Sequence, residues 1–202
     1  VVDVVVDVVD EVISWVVPQP EVPEFSEEFE EQQARGILVN KFTANSSIPV
    51  VYGTRKVGGN VVFVETSGTD NQYLYMAVVL SEGEINSVET LFVNNHQVTL
   101  SGALTDGTQR TVASSDSNFF ADSSLITVEA HLGTDSQSAS TLLSTLTSWT
   151  SNHRLRGLAY LALRFEWNAD KFGSLPRVQA TIKGRKIYNP NLDSTVTGGS
   201  GS

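Results

Sequence analysis

YLYMAVVL, Tyr73–Leu80, is eight apolar or aromatic residues in a row, bounded by Gln72 on one side and Ser81-Glu82-Gly83 on the other. The run has strand length, and successive strand side chains point to opposite faces, so both faces of this strand are apolar. A strand of that kind lies in the middle of a sheet that is covered on two sides. The rest of the chain is read outward from it.

Upstream, GILVNKF, IPVVYG and VVFVET are short β-branched and aromatic runs separated by glycine, and Gly58-Gly59-Asn60 reads as a hairpin turn between RKV and VVFV. Downstream, NSVETLFVNN continues the series, and Asp106-Gly107 predicts a type I′ turn in an exposed hairpin. Residues 113–124 are small and polar apart from Phe119 and Phe120, which reads as a loop. LITVEAHLG is the next strand. SQSASTLLSTLTSW is the one helix expected in the body, with Leu142, Leu143 and Leu146 on a shared side. In GLAYLALRFEW, Ala159, Leu161, Leu163, Phe165 and Trp167 make one apolar face, while the other passes from Leu158, Tyr160 and Ala162 to Arg164 and Glu166. RVQATIKG alternates, with Val178, Ala180 and Ile182 inward and Gln179, Thr181 and Lys183 outward.

The fold class expected is therefore mainly β with minor α (α+β), a barrel- or sandwich-like domain over residues 36–190 with 95–124 as an exposed hairpin or loop insertion. Residues 191–202, ending in GGSGS, have the composition of a flexible linker.

The first 35 residues differ from this body. Ten acids precede the first base, Arg35, so the thirteen remaining acids match the chain's thirteen bases and the whole net charge of −10 belongs to the arm. Such an arm is unsuited to phosphate, which needs Lys and Arg. Within VVDVVVDVVDEVISWVV, Asp3, Asp7, Asp10, Glu11 and Ser14 fall on one arc of roughly 100° at about 100° per residue, which predicts a helix. Seventeen residues reach roughly 25 Å, short of a hydrocarbon core of about 30 Å, and four acids at about 2.5 to 3.5 kcal/mol each oppose insertion. No stable membrane insertion and no secretory signal are expected. The wide valine face, including Val2, Val5, Val9, Ile13, Trp15 and Val16, is instead expected to pack against other subunits, held off the body by the extended PQPEVPEF.

Signatures of catalysis are sparse. The chain has no cysteine, and His96, His131 and His153 lie in separate segments with no metal-ligand spacing, so they are expected to be polar turn or surface residues. Nucleophile-elbow, Walker and dinucleotide motifs are absent from the sequence, and GTRKVGGN lacks P-loop spacing. Glu166 and Asp170 are a carboxylate pair at a strand end that glycoside hydrolysis could use, although thirteen body acids place such pairs by chance, so a glycoside hydrolase is one alternative and a glycan-binding module another. Arg154 and Arg156 in one segment, and Lys183, Arg185 and Lys186 in another, are bases expected to line a lumen or to face an acidic neighbour, in which case salt should weaken assembly.

Trp149, His153, Arg154, Gly157, Ala159 and Tyr160, then Asp170, Phe172 and Pro176, then Gly184, Lys186, Ile187, Tyr188 and Pro190 form three blocks in a fixed order. In that order they resemble the tail-tip hub proteins of long-tailed bacteriophages, the family of the lambda host-specificity tip protein. ILVNKFTANSSIPVVYGTRKVGG and QYLYMAVVLSEGEI are similar to the N-terminal hub region of that family, as is the apolar helix followed by P-x-P. The resemblance implies a virion structural protein at the tail tip, assembled in the host cytoplasm, without catalytic residues, cofactor or metal. It implies a homotrimeric ring that continues and closes the tail tube. The implied partners are the distal tail protein, the tape-measure protein and other tail-tip subunits, with transient contact with passing DNA.

Overall fold

A computed structural model describes Asn40 and residues 47–168, 170–172 and 174–185, all within one compact unit, Arg35–Ser202. The predicted helix over 1–17 with its interface residues, the acidic arm, GILVNKF, Lys186 and the 191–202 linker fall outside these residues, Asn40 aside.

Among the described residues are nine strands: β1 Thr54–Gly58, β2 Asn60–Ser67, β3 Tyr73–Glu82, β4 Ile85–Val93, β5 His96–Val98, β6 Gln109–Thr111, β7 Ile126–Leu132, β8 Leu158–Glu166 and β9 Val178–Arg185. They form two antiparallel sheets, a four-stranded one in the order β1-β9-β4-β5 and a five-stranded one in the order β2-β3-β8-β7-β6. The mainly β class and the sandwich are as expected.

Between the sheets lies the main core. β3 contributes Met76, Val78 and Leu80, β8 contributes Leu161, Leu163 and Phe165, and Ile85, Leu91, Val178, Ala180 and Ile182 meet them from the other sheet. Each large side chain so enclosed stabilises by about 1.5 to 3 kcal/mol relative to exposure. The alternate residues of β3 and β8, Tyr75, Ala77, Val79, Tyr160 and Ala162, point the opposite way into a second core with Leu142, Leu143, Leu146 and Trp149. YLYMAVVL is thus a central strand covered on both sides, as its composition demands.

Four local readings are corrected. Gly58-Gly59 is not a hairpin turn, because β1 and β2 belong to different sheets. The chain crosses between layers there, and a Cβ on Gly59 would sit 2.3 Å from the Val79 carbonyl oxygen. The type I′ hairpin is at Asn94-Asn95, both at positive φ (50° and 67°), where Val93 pairs with His96. At Asp106-Gly107 only Gly107 has a positive φ, 65°, so that turn is not type I′.

Residues 95–124, expected to be an exposed insertion, run from β5 in one sheet to β6 in the other. Leu100 bridges Val112, and Val98, Leu104, Val112 and Phe119 are buried in the main core. The polar residues of this stretch serve its own backbone: the Asp116 carboxylate accepts from the amides of Thr99 (2.6 Å), Asn118 (3.0 Å) and Phe119 (3.2 Å). Polarity here reflects a self-satisfied crossing between sheets.

The predicted helix over 136–149 is reduced to a 3-10 turn, Leu143–Thr145. Serine and threonine compete with the helix for its own backbone groups. Ser140 Oγ accepts from the Leu143 amide (3.2 Å), Ser144 Oγ donates to the Ser140 carbonyl (2.6 Å) and Thr145 Oγ1 to that of Leu142 (2.8 Å). The leucines are buried all the same. In β9, Val178, Ala180 and Ile182 are inward as read, and Gln179 alternates with them onto the outward face but is buried there.

Candidate functional site

Glu129, at the middle of β7, accepts five hydrogen bonds. ITVEAHL places Thr127, Glu129 and His131 on the face turned away from the main core, and Glu129 is only 1% exposed. Its carboxylate accepts from His131 Nε2 (3.0 Å), Ser140 Oγ (2.9 Å), Thr141 Oγ1 (3.0 Å) and the amides of Thr141 (3.1 Å) and Leu142 (2.8 Å). Burial pushes the carboxyl pKa up, but the bonds from His131, Leu142, Thr141 and Ser140 outweigh it and hold the group at about 2. The His131 ring stacks on Tyr160 with centroids 4.4 Å apart, and burial followed by the Glu129 charge pushes the Tyr160 phenol well up.

This cluster is a clasp. A carboxylate whose oxygens are all engaged and enclosed has no proton to exchange with a substrate. It fastens residues 140–142 to the sheet. Gln137 fastens the same segment at its other end, accepting from the Gly133 amide (2.9 Å) and donating to the carbonyls of Arg154 (2.8 Å), Leu155 (2.7 Å) and Leu158 (3.2 Å). His131 was expected to be a turn or surface residue; it is a buried member of the clasp. The signal that marked this site was an acid and a histidine on one face of an otherwise apolar strand.

The predicted bases divide between two places. Arg154 is half-buried, its Nε donating to the Ser151 carbonyl (2.9 Å), and Arg156 is exposed. Arg185 shares a cleft of about 300 Å³ with Gly83, Glu84, Gly133, Asp135 and Gly157, so the Arg154–Arg156 loop and the end of β9 meet at one end of the sandwich. Three glycines at positive φ, Gly83, Gly133 and Gly157, shape that cleft. The Gly83 amide donates to the Gly157 carbonyl at 2.7 Å.

Lys183 lies instead on the outer face of the four-stranded sheet, 3.3 Å from Glu89. Hydrogen bonds from Ser87 and then Lys183 lower the Glu89 pKa. The register sets Thr54 opposite Lys183 and Lys56 opposite Thr181, which puts Lys56 diagonally next to Lys183. Lys56 Nζ sits 3.7 Å over the Phe92 ring, and Arg55 is exposed on the β1 edge. Sequence reasoning missed Lys56 as a companion of Lys183 because their proximity arises only from β1–β9 pairing.

The outer end of β8 leads to a further exposed feature. Trp167 and Leu175 are 59% and 45% exposed at the rim of an apolar hollow of about 190 Å³ walled by Leu74, Phe165 and Phe172. Glu166 is half-buried, opposite Tyr73 in the sheet, and Asp170 is exposed. Neither enters the lining of the hollow beside them. Among the described residues no group of three His, Asp or Glu is placed to hold a metal ion, and no helix is long and apolar enough to cross a membrane.

No family model and no curated protein matches this chain. Among solved structures, it is similar to a chain of the virion of a native gene transfer agent particle, with a TM-score of 0.51 and 16% sequence identity. The match covers 71% of this chain and 28% of that one. At that identity the likeness is one of fold.

Proposed function

We propose that this chain is a structural component of a phage-like virion, the tail-tip hub, with no catalytic role. Three copies form a ring that continues and closes the tail tube and anchors the distal tail protein, the tape-measure protein and further tip subunits. The observation that carries the reading is the shared fold with a virion chain of a gene transfer agent particle over 71% of this sequence. The ordered hub-like blocks of the sequence point the same way.

The geometry supports it further. The carboxylate with the most perturbed environment, Glu129, is occupied as a clasp, and Glu166 and Asp170 stand outside the hollow next to them. What remains at the surface is suited to contact: exposed Val62 and Val64 on the β2 edge, Trp167 and Leu175 at the hollow, and bases on β1 and β9. A sheet edge and an uncovered apolar rim are surfaces that proteins ordinarily pair or cover.

Labelled antibodies against the 95–124 surface, viewed on purified particles, test the placement. Label at the tail end opposite the head is the expected result. Label along the tail or on the head shell would refute the tail-tip assignment, and particles that carry no label at all would refute the virion role.

A further inference from the structure

Residues 134–156 leave the five-stranded sheet after β7 and return to it at β8, its antiparallel neighbour. Gly133 and Gly157, at the two ends, have positive φ of 88° and 73° and line the same end cleft. The segment can therefore swing away without pulling β7 from β8. Its main chain bonds within itself, from the Gln137 amide on the Thr134 carbonyl at one end to the Arg154 amide on that of Asn152 at the other. Among the described residues, no main-chain hydrogen bond joins residues 134–154 to a strand. Side chains hold the segment down instead. Glu129 and Gln137 clasp it, Gln109 Nε2 donates to Thr141 Oγ1 (2.8 Å) and Ser148 Oγ donates to Glu65, while Leu142, Leu143, Leu146 and Trp149 are buried against the sheet.

We propose that residues 134–156 form a strap that lifts off as one unit while the sandwich stays folded, uncovering the second apolar face of β3 and β8. Parts of a domain open below its global limit where few apolar anchors and no shared ladder hold them. The strap meets both conditions. Eleven of its 23 residues are Ser or Thr, whose hydroxyls can exchange their partners for water when it opens. The Trp149 Nε1–H is buried with no hydrogen-bond partner among the described residues, a desolvation cost that opening relieves. Beneath it, Tyr75, Ala77, Val79, Tyr160 and Ala162 stand on strands whose ladders are complete without the strap. The device keeps a wide apolar face out of solvent until it is released.

The chain has no cysteine, so a single introduced thiol reports opening through its rate of labelling. Ala77 and Val78 are neighbours on β3 and both fully buried, Ala77 in the layer beneath the strap and Val78 in the main core. Ala77→Cys should label roughly tenfold or more faster than Val78→Cys, with a shallower dependence on denaturant, since lifting the strap exposes less surface than unfolding. Ile182→Val weakens the main core and should speed labelling at Val78→Cys by about two- to tenfold. It should leave Ala77→Cys unchanged, because the opened state keeps that core. Ala162→Cys repeats the strap reading on β8, and unfolding midpoints near the parent's verify that each variant folds.

Hydrogen exchange on the unsubstituted protein gives an independent reading. The amides of Leu142, Leu143 and Leu146, all hydrogen-bonded, should share one protection level below that of β3. Equal labelling at Ala77→Cys and Val78→Cys, with Ile182→Val speeding both alike, would show that the strap leaves only when the domain unfolds and would overturn the proposal. Labelling of Ala77→Cys at the rate of an unprotected thiol would overturn it too, since nothing would then hold the strap closed.

Discussion

Glu129→Ala is expected to lower the unfolding free energy by about 3 to 5 kcal/mol, a large share of the roughly 5 to 15 kcal/mol a domain possesses. The carboxylate is 1% exposed, and its loss strands five donors: His131 Nε2, Ser140 Oγ, Thr141 Oγ1 and the amides of Thr141 and Leu142. His131, Ser140 and Leu142 are buried, so their unmet donors carry a desolvation cost, whereas Thr141 is exposed and its donors can turn to water. Segment 140–142 should detach first, exposing Leu142, Leu143 and Leu146.

The same group sets an acid limb of stability. Its pKa falls from the ordinary 4.5 to about 2 on folding, so folding favours the ionised form. That contribution is complete above about pH 5, declines as the pH falls from 4.5 toward 2, and amounts to on the order of 3 kcal/mol. Urea unfolding measured from pH 2 to pH 7 should show this limb in the parent and a flatter one in Glu129→Gln, which cannot titrate. A Glu129→Ala variant as stable as the parent at pH 7 would show that the clasp does not hold the layer.

Gly184→Ala should cost about 3 kcal/mol or more, at the upper end of what an added methyl does in a packed site. The φ of Gly184 is not in the left-handed region; the difficulty is space. A Cβ there would lie 2.1 Å from the Val51 carbonyl oxygen and 2.5 Å from its carbon. Neither backbone is free to retreat. The Gly184 amide donates to the Gly53 carbonyl at 2.8 Å and that of Arg185 to Val51 at 2.7 Å, while the Val51 amide is held by Ser81 Oγ at 3.2 Å. Gly157→Ala is the matched control: it meets nothing within 4 Å and pays only for its φ of 73°, about 1 to 2 kcal/mol. Thermal unfolding of the two variants compares them, and equal losses would contradict the steric reading at Gly184.

The central strands were legible because their alternation is a property of single strands. β3, β8 and β9 could be read residue by residue, down to the change in β8 from apolar to charged on the face carrying Arg164 and Glu166, since burial on either face writes directly into the sequence. The connections were not legible in the same way. A glycine pair that crosses between sheets and a glycine pair that turns a hairpin look alike at Gly58-Gly59, because only the partner strands distinguish them. SQSASTLLSTLTSW carries a helical spacing of leucines, yet the hydroxyls between them take the backbone groups a helix would need.

The surfaces divided along the same line. Lys183 was visible as a base, but Lys56 joins it only through the register of β1 against β9. Glu129 stood in plain view as an acid in an apolar strand, and its meaning came from Ser140 and Thr141, eleven and twelve residues away.

Counting copies is the most direct test of a hub whose work is assembly. Full-length protein released from purified particles, weighed by native mass spectrometry and viewed along the tail axis, should give three copies related by threefold symmetry. A single copy per particle, or a chain that stays monomeric while turning over a cell-wall substrate, would contradict it.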